Sequence, residues 1–200
     1  MPKRLPTLWK WNYRNYCEMT DPSKLDEVLQ RYQHSFVDKV YSEENDDHDL
    51  LMDVFSLSPT LKRENRQYWG RELGMCWQLL VIEACKNVAG FQPALRIEQD
   101  EPCDLIVGKY AIDTKYRIGS GDSGTLKKFK TYGPLLRDQG FEPVFLILRD
   151  DNLPAAIQAC NVGTWNVLTA SRSFEFIREI SGFNMELYFK ERTGAFAVIR

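Results

Sequence analysis

The chain reads as an α/β protein built on a central mixed β-sheet flanked by helices. Three observations carry that expectation. A long apolar helical stretch runs from about Glu64 to Ala89, three short strands follow it around a two-residue turn, and helical and strand patterns then alternate to about Ile180. With 200 residues, 44% of them hydrophobic, the chain is one domain of ordinary size that can bury a core.

The first 60 residues read as an irregular aromatic arm and then a helix from about Pro22 to Tyr41, with Asp21 or Ser23 as its cap. An acidic connection and a short helical piece ending near Ser58-Pro59 complete this N-terminal region. In the helix from Glu64 to Ala89, Leu73, Met75, Trp77, Leu79, Leu80, Val81, Ile82, Ala84 and Val88 cover most of the circumference. Such a helix is expected to be buried, and Gly90 to stop it. A strand over Ala94–Gln99 precedes the hairpin, and the glycine-rich loop Ile118–Gly124 follows it. Next come a helix from Thr125 to about Asp138 and the apolar run Val144–Leu148, long enough only for a buried strand. Helix Leu153–Cys160, strand Trp165–Leu168 and helix Ser171–Ile180 continue the alternation.

The hairpin holds the most informative residues. Apolar runs flank Gly108-Lys109, and Gly-X is a good two-residue hairpin turn. Closing it pairs Val107 with Tyr110, Ile106 with Ala111, Leu105 with Ile112 and Asp104 with Asp113. Alternation then puts Asp104, Ile106, Ala111, Asp113 and Lys115 on one face and Leu105, Val107, Tyr110 and Ile112 on the other. Two acids placed opposite each other repel, unless a cation sits between them or one keeps its proton. Asp104, Asp113 and Lys115 together suit a divalent cation and a phosphodiester.

Net charge is −2, but charge is segregated. Lys3, Arg4, Lys10 and Arg14 crowd the start, and Lys115, Arg117, Lys127, Lys128 and Lys130 lie close together against Asp122 alone. Glu43, Glu44, Asp46, Asp47, Asp49 and Asp53 form an acidic run, which reads as a solvated face. A basic phosphate-binding surface is therefore compatible with a slightly acidic protein. Five widely spaced cysteines with no C-x-x-C argue against a zinc site and a disulfide framework, and fit a reducing cytoplasm. The two histidines, His34 and His48, read as bystanders. No signal peptide or membrane span is visible, so a cytoplasmic protein with no membrane partner is expected.

Helix, three-strand meander, helix and strand, with Asp104 on the second strand and Asp113-Thr114-Lys115 on the third, resemble the PD-(D/E)XK nuclease superfamily, best known from type II restriction endonucleases. The likeness covers about residues 64–150. Asp113 stands where many members have glutamate, and Cys103 separates Pro102 from Asp104. The resemblance implies a restriction-endonuclease-like sandwich with an α-β-β-β-α-β core in residues 61–200 and an N-terminal helical extension, residues 1–60, for dimerisation or DNA contact. It implies that Asp104, Asp113 and the Thr114 carbonyl bind Mg²⁺ and that Lys115 positions the attacking water or stabilises the phosphorane. Glu72 is the candidate acid on the preceding helix, with Glu83 as the fallback. The implied activity is sequence-specific cleavage of double-stranded DNA by a homodimer, leaving 5′-phosphate and 3′-hydroxyl ends. A repair or junction-resolving nuclease of the same superfamily, or a non-catalytic DNA-binding module, is the alternative.

Gly119-Ser120-Gly121-Asp122-Ser123-Gly124 also fits G-x-G-x-x-G, the signature of a dinucleotide-binding site. The polar strand before it, the missing ribose-binding acid and the short remainder of the chain count against a nucleotide cofactor. On the nuclease reading, Arg117, Ser120, Asp122, Ser123, Lys127, Lys128 and Lys130 are candidate DNA contacts. The aromatic arm, with Trp9, Trp11, Tyr13 and Tyr16, could stack on bases or cover an interface.

Overall fold

The structure, a computed structural model, describes residues 48–97, 100–119 and 121–198 together with Asp26, Gln30, Gln33 and Asn45. The aromatic arm and most of the helix expected over Pro22–Tyr41 lie outside the described residues. Contacts divide the chain into residues 1–39 and 40–200, and the second unit is the one described below. Leu51, Met52 and Leu57 belong to the core of this second unit.

Five strands form one sheet in sequential order: β1 (Phe91–Ile97), β2 (Asp100–Val107), β3 (Tyr110–Lys115), β4 (Glu142–Ile147) and β5 (Asn166–Thr169). The first three pair antiparallel, and β3, β4 and β5 pair parallel, so the α/β mixed sheet is as expected. The parallel pairs need crossovers, which α4 (Ser123–Asp138) and α5 (Pro154–Val162) supply on one face. The other face carries α1 (Leu50–Val54), α3 (Arg66–Cys85), α6 (Ser171–Ser181) and α7 (Met185–Lys190). Helix α2 (Pro59–Glu64) leads into α3. Strand β4 is apolar on both faces and buried from Pro143 onward, as a central strand between two helical layers must be.

Local chemistry explains several boundaries. Ser58 does not end a helix but starts one: its Oγ accepts from Leu61 N at 3.1 Å, and Pro59 takes the first-turn position that needs no N–H. Gly108 has φ of +57° at the hairpin turn, where a side chain would be strained. Helix α3 departs from expectation. Leu73, Trp77, Val81 and Cys85 form its buried stripe, while Met75 and Leu79 are exposed, because only one side of the helix meets the sheet. Trp77 crosses to the sheet centre and donates its indole N–H to Leu146 O at 3.1 Å. The sequence did not suggest α7, a short helix capped by Asn184. Among the described residues no helix is long and apolar enough to cross a membrane.

Helix α4 and the turn after α5 meet backbone to backbone. A Cβ on Gly133 would fall 1.8 Å from Gly163 O, and a Cβ on Gly163 would fall 2.0 Å from Phe129 O. No rotamer change relieves a clash with a carbonyl, so Gly133→Ala should destabilise the protein by about 1–3 kcal/mol. Urea unfolding measures this, and an unchanged midpoint would show that the two segments are free to separate.

Candidate active site

Hairpin register places the site. Val107 pairs with Tyr110, Ile106 with Ala111 and Leu105 with Ile112, as the turn requires, and the β2–β3 ladder stops there. Leu105, Val107 and Ile112 fall in the α3-side core, and Ile106 and Ala111 in the α4-side core. The alternation breaks across Asp104, since Cys103 joins the α4-side core beside Ile106. Instead of a backbone rung, the Asp104 carboxylate accepts from Thr114 N at 2.7 Å and from Thr114 Oγ1 at 2.6 Å. Its second oxygen accepts from Gln78 Nε2, on α3, at 2.8 Å. Three donors hold Asp104 in the gap where the strands part.

Strand β3 continues past that gap because β4 supports its other edge, with Asp113 opposite Phe145 and Lys115 opposite Ile147. Asp113 is buried, at 8% exposure. The Lys115 ammonium donates to Asp113 Oδ1 and to Thr114 O, the latter at 3.1 Å. Burial pushes the Asp113 carboxyl up to about 6; Lys115 opposes the shift and the neighbouring Asp104 carboxylate adds to it. Burial pulls on the Lys115 ammonium in the opposite sense, yet Asp113 and Asp104 outweigh it and raise its pKa. Lys115 is therefore a cation here and not a base. Burial drives the thiols of Cys103 and Cys160 up to about 11 and about 12, and Asp113 adds to both shifts, so neither is a ready nucleophile.

Asp113 and Lys115 open into a cavity of about 560 Å³. The ends of β1 and β2 contribute Arg96, Asp100 and Glu101 to its lining, and α4 contributes Thr125, Lys128, Phe129 and Tyr132. Charges on the lining are paired: Arg96 with Glu101 at 2.7 Å, and Lys128 with Asp100 at 3.5 Å. Tyr132 donates its hydroxyl to the same Asp100 oxygen at 2.6 Å.

The other sequence candidates are placed differently. Glu72 is exposed and pairs with Arg71, and Glu83 pairs with Lys86. Gln78 is the α3 residue that meets Asp104, and six residues of helix turn Glu72 about 120° away from that direction. Arg117 is not a free surface cation: its Nε donates to Asp151 Oδ2 at 2.9 Å and to Asp151 O at 3.0 Å, and its side chain is 11% exposed. Asp122 caps α4, accepting from Thr125 N at 2.9 Å. Ser123, Lys127 and Lys130 are exposed on α4, and Ser120 lies outside the described residues. Gln78 was legible only as the single amide between Leu73 and Ile82. Nothing local links Arg96 or Asp100 to a helix some thirty residues on.

For a metal ion, the described residues contain no cluster of three His, Cys, Asp or Glu side chains. The oxygens that do converge are Asp113 Oδ1 and Thr114 O, joined through the ammonium they share, with Asp104 beside them. Two carboxylates and a carbonyl are hard ligands of the kind Mg²⁺ takes while keeping several waters. Compared with models of known protein families, with curated proteins and with solved structures, the chain has no match.

Proposed function

We propose that this protein is a Mg²⁺-dependent DNA endonuclease with a restriction-endonuclease-like core, in which Asp104, Asp113 and Thr114 O hold the ion and Lys115 acts on the phosphodiester. One observation carries the reading. Asp104 is fixed where the hairpin parts, close enough to raise the Asp113 carboxyl, with Lys115 on Asp113 and a cavity in front of that pair. When bound, Mg²⁺ supplies a water of lowered pKa and neutralises charge on non-bridging oxygens. Asp104, fixed by Gln78 and Thr114, sets the geometry without reorganising. Lys115 brings a preorganised positive charge to the phosphorane, an effect worth a few kcal/mol.

The cavity supports a nucleic-acid substrate. Arg96 and Lys128 are exposed cations held by exposed acids, and such pairs contribute little. A phosphate can take either cation over at small cost, and the strand would run between the β1–β2 end and α4. Cleavage at a palindromic site by a homodimer is the finer form of the proposal.

Incubation with plasmid and Mg²⁺ is the test. Discrete fragments are expected for a restriction enzyme, whereas preference for branched substrates would mean a junction or repair nuclease. No cutting with Mg²⁺ or Mn²⁺, alongside retained duplex binding, would leave a binding module. In the binding assay Arg96→Ala and Lys128→Ala should each lower the slope of log affinity against log salt by about 1. An unchanged slope in both would put the strand elsewhere.

A further inference from the structure

We infer that the Lys115 ammonium is the resting occupant of the divalent-cation site, so that metal and phosphodiester load cooperatively. The inference rests on the nuclease reading and deepens it, since it concerns how that same site is filled.

The geometry is specific. Lys115 Nζ binds Asp113 Oδ1 and Thr114 O, which are two of the three protein oxygens assigned to the ion. The third ligand behaves differently: the hydrogen bonds that lock Asp104 come from Gln78 Nε2, Thr114 N and Thr114 Oγ1 and not from the ammonium. Two of three ligand positions are thus filled by a charge that can move, and one is rigid and waiting.

Lys115 has somewhere to go. Its side chain is 37% exposed, against 12% for Asp113, and it lines the cavity. The flexible four-carbon stem lets the ammonium swing while its base stays anchored in β3. The Asp113 carboxylate it leaves would otherwise be a buried, uncompensated anion beside the Thr114 carbonyl, so the lysine also stabilises the fold around it.

A consequence for loading follows. A divalent cation approaching the protein alone meets oxygens already neutralised by an ammonium, and two cations cannot share Asp113 without repelling. A phosphodiester in the cavity offers Lys115 a different anion and frees both oxygens. Because coupling between two ligands is reciprocal, metal should tighten the phosphodiester by the factor by which the phosphodiester tightens metal.

Mn²⁺ binding to the full chain, followed by the electron paramagnetic resonance of the free ion, tests this without relying on cleavage. Lys115→Met keeps a linear stem and removes the charge, and should bind Mn²⁺ about tenfold tighter than the native protein in the absence of DNA. Lys115→Gln, which retains a polar contact to Asp113, should show the same direction if the methionine variant does not fold, as judged by circular dichroism. A slowly cleaved phosphorothioate duplex should raise Mn²⁺ affinity more in the native protein than in either variant. Equal or weaker Mn²⁺ binding on removal of the lysine, with the native protein binding Mn²⁺, would overturn the resident-lysine inference and leave the metal site standing. An equal gain from the duplex in native and variant proteins would overturn the cooperative loading. Absence of Mn²⁺ binding in every form, with duplex present or absent, would overturn the metal reading and this inference together.

Discussion

Asp113→Asn should lower Mg²⁺-dependent cleavage at least about 10³-fold while leaving duplex binding within a few-fold of native. The factor corresponds to about 4 kcal/mol of transition-state stabilisation at 1.36 kcal/mol per tenfold, well within what a Lewis-acid cation supplies. Asparagine has the shape of aspartate and still offers Oδ1 to Lys115, so the fold is retained and, on the proposed reading, the loss is one of ligand charge. Asp104→Asn makes an instructive contrast. Asp104 accepts three hydrogen bonds on its two oxygens, and an amide turns one acceptor into a donor facing a donor. That variant should lose stability as well as activity. Single-turnover cleavage, gel shift and urea unfolding on both variants separate the two effects. Cleavage by Asp113→Asn within tenfold of native would remove Asp113 from the chemistry.

Arg149→Met should destabilise the protein by about 3–5 kcal/mol, the scale set by breaking a buried ion pair from one side. Arg149 leaves the end of β4 and is 5% exposed. Its guanidinium donates to Asp49 Oδ2 at 3.0 Å, to Asp151 Oδ1 at 2.8 Å and to Asn45 Oδ1. Tyr116 donates its hydroxyl to the same Asp49 oxygen and accepts from Lys62 Nζ at 2.5 Å. Burial, then the Asp49 carboxylate, hold the phenol above its usual range, so it stays a donor. Methionine fills much of the volume but leaves Asp49 and Asp151 without the guanidinium between them. The loss should carry a pH signature. Burial alone would raise the Asp151 carboxyl, yet Arg149 first, then the Asn45 N–H and Arg117, outweigh it and hold the group below the ordinary carboxylate range. A depressed carboxyl contributes stability that is present above its unfolded pKa and lost as pH falls through the folded one. Urea midpoints of the native protein should therefore drop at the acid end, and the Arg149→Met profile should be flatter there. Parallel profiles would mean that Asp151 owes its low value to Arg117 and the Asn45 N–H instead.

Residues close in sequence were legible, and those joined through space were not. The hairpin register from Val107–Tyr110 to Leu105–Ile112 follows from a glycine turn and strict alternation, both local. Asp104 lies one rung beyond, where its own carboxylate takes the Thr114 N–H, and no alternation rule says where a ladder ends. The run from Leu73 to Ile82 announces a helix but not which side its neighbours cover, so Met75 and Leu79 were expected inside and lie outside. Arg117 reads as a free basic residue until Asp151, 34 positions later, is brought against it. Strand β4 was plain from composition alone, because a short apolar run can only be buried.

Backbone bonds run from Gly194 N to Asp53 O, from Phe196 N to Val54 O and from Val198 N to Phe55 O, at 2.8, 3.2 and 2.9 Å. Some of the earliest residues of this body are thus buckled to some of its latest. On a ribosome, the segment around Leu51 waits for nearly 150 further residues before its partners emerge. Folding of this unit is then an event of high contact order that cannot finish until those residues have emerged, slow to close and exposed to capture by chaperones meanwhile.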